Sequence, residues 1–142
     1  MKYIRSKFRK FIRSFQGDHS YPYYAAQLRE MCTTNKQSIE ISYNDIKNTN
    51  PTLATWIAFE PMVIFPYLNR IAYNLACKQY PSYANIHPEV FVKIKDLPIK
   101  DNIRELRHIH LNKLINITGV ITKRNQVLNQ LKRISVRCQR CG

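Results

Sequence analysis

Glycine is nearly absent from this sequence, with three in 142 residues, and acid is scarce, with nine Asp and Glu against 23 Lys and Arg. So few glycines exclude a loop-rich or low-complexity chain, and because Gly17, Gly119 and Gly142 stand alone they form no phosphate-cradling loop. No run approaches the roughly 18 to 20 apolar residues needed to span a bilayer. The first residues lack the apolar centre of a secretory signal. Four cysteines without such a signal point to a reducing compartment, where thiols are free or metal-bound. No Ser/His/Asp ordering or carboxylate pair stands out, so catalysis within these residues is not expected.

What is present is globular: 44% hydrophobic residues and 11% aromatics can fill a core. The net charge of +14 is gathered at the two ends. Six bases and no acid lie between Lys2 and Arg13, whereas residues 18–101 balance eight against eight. Residues 102–122 carry +2, and residues 123–142 carry +6 with no acid. Nucleic acid is the natural partner for such a field, with plain solubility as the alternative.

Ile4, Phe8, Phe11, Ile12 and Phe15 fall on one stripe of a helix, with bases on its other faces and Gly17-Asp18 as its end. An acid-free, Arg-rich amphipathic start also resembles an organelle transit peptide, but the aromatic stripe better suits a core-facing helix. The pattern predicts a second helix over 23–31, a short strand or extended arm over 38–43, and a helix over 52–59 entered through Asn50-Pro51. A longer helix is predicted over 62–79, with Pro66 near its first turn. Val90, Val92 and Ile94 then alternate as a strand, Asp96-Leu97-Pro98 turns the chain, and 103–114 suggests a short helix. Residues 115–122, where Gly119 suits a bend, and 132–137 read as further strands. The expected fold class is α+β: an amino-terminal helical bundle (1–85), an incomplete OB-type β-barrel (86–137) and half of a zinc ribbon (138–142). Two or three strands cannot close a barrel, and the sequence stops before closure.

Cys138-Gln139-Arg140-Cys141-Gly142 has the spacing of a metal-binding knuckle, with Arg137 and Arg140 placed to favour thiolates. Structural zinc takes four ligands, and a companion pair is usual roughly 15 to 20 residues later; Cys32 and Cys77, single and far upstream, read as buried hydrophobes. His108 and His110 read as structural or surface residues, and His19 and His87 receive no role. Lys123-Arg124 and Lys132-Arg133 bracket a predicted turn; with Arg137 and Arg140 they are the candidate DNA contacts, the bland alternative being a solvated hairpin tip.

The stretch Leu106 to Ile115, with Gly119 to Arg124, Val127 to Leu131, and Cys138 with Cys141, resembles the amino-terminal region of the minichromosome maintenance (MCM) helicases. That family carries an "LRxxHLNxLI" segment, then "xxGVVTR", "VLPQL" and a C-x-x-C; Asn129 stands where proline is usual. Arg104-Glu105-Leu106-Arg107 and His110-Leu111-Asn112 resemble one subunit class of the eukaryotic heterohexamer in particular. The resemblance implies a helical subdomain before an oligonucleotide-binding barrel with an inserted zinc ribbon. It implies a non-catalytic part of an ATP-dependent DNA helicase, working in ring assembly and DNA binding. The partners are then DNA and other MCM subunits in a nuclear hexameric ring. Zinc depends on a second cysteine pair, and ATP and Mg belong to the parent's motor alone. The alternatives are a free-standing nucleic-acid-binding module and a protein-interaction scaffold.

Overall fold

The computed structural model describes residues 2–17, 20–129, 131 and 134–141. Helix α1 (Lys2–Ser14) turns its aromatic stripe inward: Ile4, Phe8, Phe11 and Ile12 are all buried, while every described base on it is exposed. Each such side chain contributes roughly 1.5–3 kcal/mol on burial, which settles the helix as core-facing rather than free. Gly17, at φ 54°, ends the segment in the left-handed region.

Helix α2 (Tyr23–Thr33) buries Tyr24, Leu28, Met31 and Cys32. Asn35, at φ 53°, reverses the chain into strand β1 (Ser38–Ser42). Helices α3 (Tyr43–Thr49) and α4 (Pro51–Phe59) follow, and the Asn50 side chain accepts from the Leu53 N–H at 3.3 Å with Pro51 in the first turn. Helix α5 (Pro61–Gln79) is the central post, packed against α1, α2, α4 and the later strand β2. Its buried Ile64, Leu68, Ile71, Ala72, Leu75 and Ala76 keep helical spacing, and the two alanines allow close approach. The helix starts one residue earlier than its pattern predicts, so Pro66 lies inside it rather than near its first turn. It costs one backbone donor there without ending the helix.

After the short helix α6 (Tyr83–Ile86), strand β2 (Phe91–Lys95) lies parallel to β1. The register sets Ile39 beside Val92 and Ile41 beside Ile94, so the apolar side chains share the face toward the helices. β2 was expected to open the barrel beyond a boundary at 85/86. It pairs instead with β1, which has no other strand beside it among the described residues, and buries Val90 and Val92 in the helical core. The outward N–H of Val92 donates to Asn69 Oδ1 on α5 at 2.8 Å, so a side chain supplies a partner on that edge.

Beyond Asp96 (φ 59°) the character changes. Strands β3 (Lys100–Asn102) and β4 (Asn116–Thr118) pair in parallel, joined by two single 3-10 turns over Ile103–Glu105 and His108–His110. These turns replace the helix expected over 103–114. Ile109 and Leu111 are 56% and 71% exposed, so that helix would have no buried face to sustain it. Only 116–118 of the strand expected over 115–122 is paired, and described residues 134–137 have no regular structure. Every buried hydrophobic side chain among the described residues lies between Ile4 and Val92. Leu114 ties the later part back: it is partly buried against that core, and its N–H donates to the Ala58 carbonyl at 2.8 Å.

Candidate nucleic-acid interface and cysteine knuckle

The residues singled out for DNA contact lie on an extended stretch after β4. Lys123, Arg124, Arg137 and Arg140 are all exposed, and Lys132 and Arg133 lie outside the described residues. Their apolar neighbours are exposed as well: Val120 at 90%, Val127 at 97% and Val136 at 89%. Exposed apolar side chains beside bases, on backbone with no ladder partner among the described residues, are strand-forming residue types without a strand beside them. Gly119 is where this stretch leaves β4. A Cβ there would stand 2.6 Å from Cδ1 of Ile103, so the glycine admits that side chain between β4 and the first 3-10 turn.

Cys138 and Cys141 are exposed, on a turn that spans residues 139–141. The N–H groups of Arg140 and Cys141 bond to the Cys138 thiol, and with the Cys141 side chain they hold it below the usual thiol range. Backbone amides, rather than the arginine side chains expected from the sequence, favour the thiolate. Two thiols on one turn with amides aimed at sulfur fit one half of a tetrahedral zinc site. Among the described residues no group of three His, Cys, Asp or Glu gathers to complete it.

The remaining cysteines belong to the helical core. Cys32 is buried, as expected of a small apolar filler, and burial raises its pKa; Cys77, expected to be buried too, is half-buried on α5 with its side chain bonded to Tyr73. His110 Nδ1 accepts from the Arg107 N–H at 3.0 Å, a local turn contact, while His108 is exposed. His87 bonds the Asn35 carbonyl at 3.1 Å, and His19 lies outside the described residues. No helix among the described residues is long and apolar enough to cross a membrane.

The order of parts, a helical core through residue 95 followed by an open β segment with a cysteine turn, has a counterpart in known proteins. A family profile described as "MCM N-terminal domain" matches residues 5–96, and one described as "MCM OB domain" matches residues 102–142. The chain belongs to the minichromosome maintenance family. Proteins named DNA replication licensing factor MCM2 align along nearly all of it. The Arabidopsis thaliana protein is 32% identical over 144 residues, 99% of this chain. The Oryza sativa subsp. indica protein is 34% identical over 147 residues, 99% of this chain. The Schizosaccharomyces pombe protein is 32% identical over 139 residues, 98% of this chain. This agrees with the subunit class, the second of the heterohexamer, that residues 104–112 resemble. The chain spans 15% of the length of the two plant relatives and 17% of the yeast one. The matched boundary falls between 96 and 102, on the Asp96-Leu97-Pro98 turn, in keeping with the pairing of β2 to β1.

The amino-terminal bases, read from the sequence only as part of a field suited to nucleic acid, gain a defined surface in the fold. Arg5, Ser6, Arg9, Lys10, Arg13 and Ser14 line a shallow depression of about 470 Å³ on the outer face of α1. The charge run and its four-residue spacing were visible, but only the packing of α1 shows that this face stays open and borders a depression.

Proposed function

We propose that these residues form the amino-terminal, non-catalytic part of a replicative DNA helicase subunit, serving ring assembly and DNA binding in licensing, initiation and unwinding. The parent is an ATP-dependent helicase, with ATP and Mg bound by its motor, and it works in the nucleus within a hetero-hexameric ring of MCM subunits. The observation that carries this reading is the succession of two MCM domains, in order, over a chain whose second part leaves its apolar side chains exposed. The division proposed is a helical subdomain to about residue 96 and an OB-type segment after it, with the cysteine turn as its insertion.

In this reading Lys123, Arg124, Lys132, Arg133, Arg137 and Arg140 face phosphates once the barrel is complete, and contribute a sequence-independent attraction. Cys138 and Cys141 supply two of four zinc thiolates, the other two coming from a second pair on the parent. Zinc would there clasp the ribbon and fix its turn.

The test mixes the chain with the other MCM subunits and follows co-migration on gel filtration, alongside binding to labelled DNA. Co-assembly, with DNA affinity weakened by Lys123→Gln and Arg124→Gln, supports the reading. Steep salt-dependent DNA binding without co-assembly would make the chain a free-standing nucleic-acid module. Co-assembly with no contribution of Lys123 and Arg124 to DNA affinity would make it a scaffold.

A further inference from the structure

We propose that the outer face of α1 is a second phosphate-backbone site, built on Arg5, Arg9 and Arg13 with Lys10 beside them, and separate from the bases that follow β4. The three arginines are spaced four residues apart and form one ridge along the helix. At 1.5 Å per residue the ridge spans about 12 Å, the axial length of roughly three to four phosphates of one strand at 3.4 Å each. Lys10 and the Ser6 hydroxyl border the same depression, whereas the Ser14 hydroxyl is already committed to the Lys10 carbonyl at 2.7 Å.

Acids are few around this face. α1 packs on α5 and α2; neither α1 nor α5 contains an acid, α2 carries Glu30 next to Arg29, and α5 adds Arg70 and Lys78. Among the described residues no carboxylate pairs with Arg9, Lys10 or Arg13, and Arg5 is steadied over the Tyr67 ring at 5.8 Å from its centroid. Ligand classes other than nucleic acid fit less well. A membrane-surface helix needs a free apolar face, but Ile4, Phe8, Phe11 and Ile12 are consumed by the core. A protein partner needs apolar anchors at the centre of its footprint, and this depression is lined by bases and serines alone. What remains is charge with small hydroxyls, which suits a backbone read without regard to sequence.

The experiment uses the full 142-residue chain and a labelled mixed-sequence DNA duplex, with affinity measured from low to moderate salt. Neutralising three cations in Arg9→Gln, Lys10→Gln, Arg13→Gln should flatten the slope of log affinity against log salt by about 2 to 3, at roughly 0.9 per phosphate contact. The same loss should occur in the Lys123→Gln, Arg124→Gln background, so the outcome does not depend on the barrel-side reading or on ring assembly. All three positions are exposed and glutamine is a good helix former, so the melting temperature should hold. If the triple variant melts early, Arg13→Gln alone should still flatten the slope by about 1. An unchanged slope in a folded variant overturns the proposal. So does a loss seen only while Lys123 and Arg124 are intact, or α1-dependent binding to phosphatidylserine vesicles matching that to DNA.

Discussion

Tyr24 is 1% exposed where α2, β1 and α3 meet. Its hydroxyl donates to Asp45 Oδ2 and accepts from the Ser42 N–H at 3.1 Å, while its ring lies 5.1 Å from that of Phe11. Burial, then the bond to Asp45, raises its pKa well above the ordinary tyrosine value of 10.0. Above pH 10 the unfolded chain releases this proton while the folded chain keeps it. Stability therefore falls as pH climbs beyond 10, because the unfolded state binds fewer protons. Tyr24→Phe should cost about 1–3 kcal/mol near neutrality, since it strands the Ser42 N–H, and should make the alkaline loss shallower. Urea melts between pH 7 and 11 check both; an unchanged alkaline slope would remove Tyr24 as its source. At Cys138 the Arg140 and Cys141 amides favour thiolate, so it should alkylate near pH 7.5 faster than an unperturbed exposed thiol. Cys32, buried and with a raised pKa, should react only in denaturant. Mass spectrometry of the timed reaction decides, and early labelling of Cys32 would contradict the packing described for α2.

Among the elements, those with a buried stripe were legible and those without one were not. α1 and α5 announce themselves through apolar residues at helical spacing, and both bury them. The segment 103–114 shows comparable spacing yet forms two 3-10 turns, because a stripe makes a helix only where something covers it. β3 has no such pattern in Lys100, Asp101 and Asn102; its strand form comes from pairing with β4. The partner of β2 was likewise hidden, since alternation marks a strand but says nothing about what lies beside it. At this scale Asn69 is the test of the β1–β2 unit. Asn69→Leu leaves the Val92 N–H without its partner, and should cost about 1–3 kcal/mol and speed hydrogen exchange at Val92. Native-like exchange there in the variant would show that the 2.8 Å bond does not guard the strand edge.

The whole molecule is uneven. Residues 4–92 hold the entire buried hydrophobic core among the described residues, and the part beyond residue 96 meets it through Leu114, bonded to Ala58, and Lys113, over the Phe59 ring. Local opening is easiest where few apolar side chains are buried. Trypsin should therefore cut first at Lys123 or Arg124 and leave a fragment ending at or beyond Lys95, even though α1 offers exposed bases of its own. Cleavage within α1 at comparable rates would contradict a core that extends through it. Binding to ring partners should slow the cut after Lys123 by covering the exposed segment, as the proposed function requires.

The amino-acid sequence by itself determined the helical character of the first part, the charge at both ends, the cysteine turn and the family, because each rests on residue types at short, fixed spacings. The candidate site was legible only in part: the spacing of Cys138 and Cys141 sets both on one turn, but the amides that lower the Cys138 thiol pKa were not visible in it. The tertiary structure alone decided that β2 joins β1, that Asn69 guards its edge, and that the ridge of Arg5, Arg9 and Arg13 lies over a helix, α5, that carries no acid. Those outcomes depend on contacts between segments tens of residues apart, where covering an apolar face and satisfying a backbone N–H outweigh local preference.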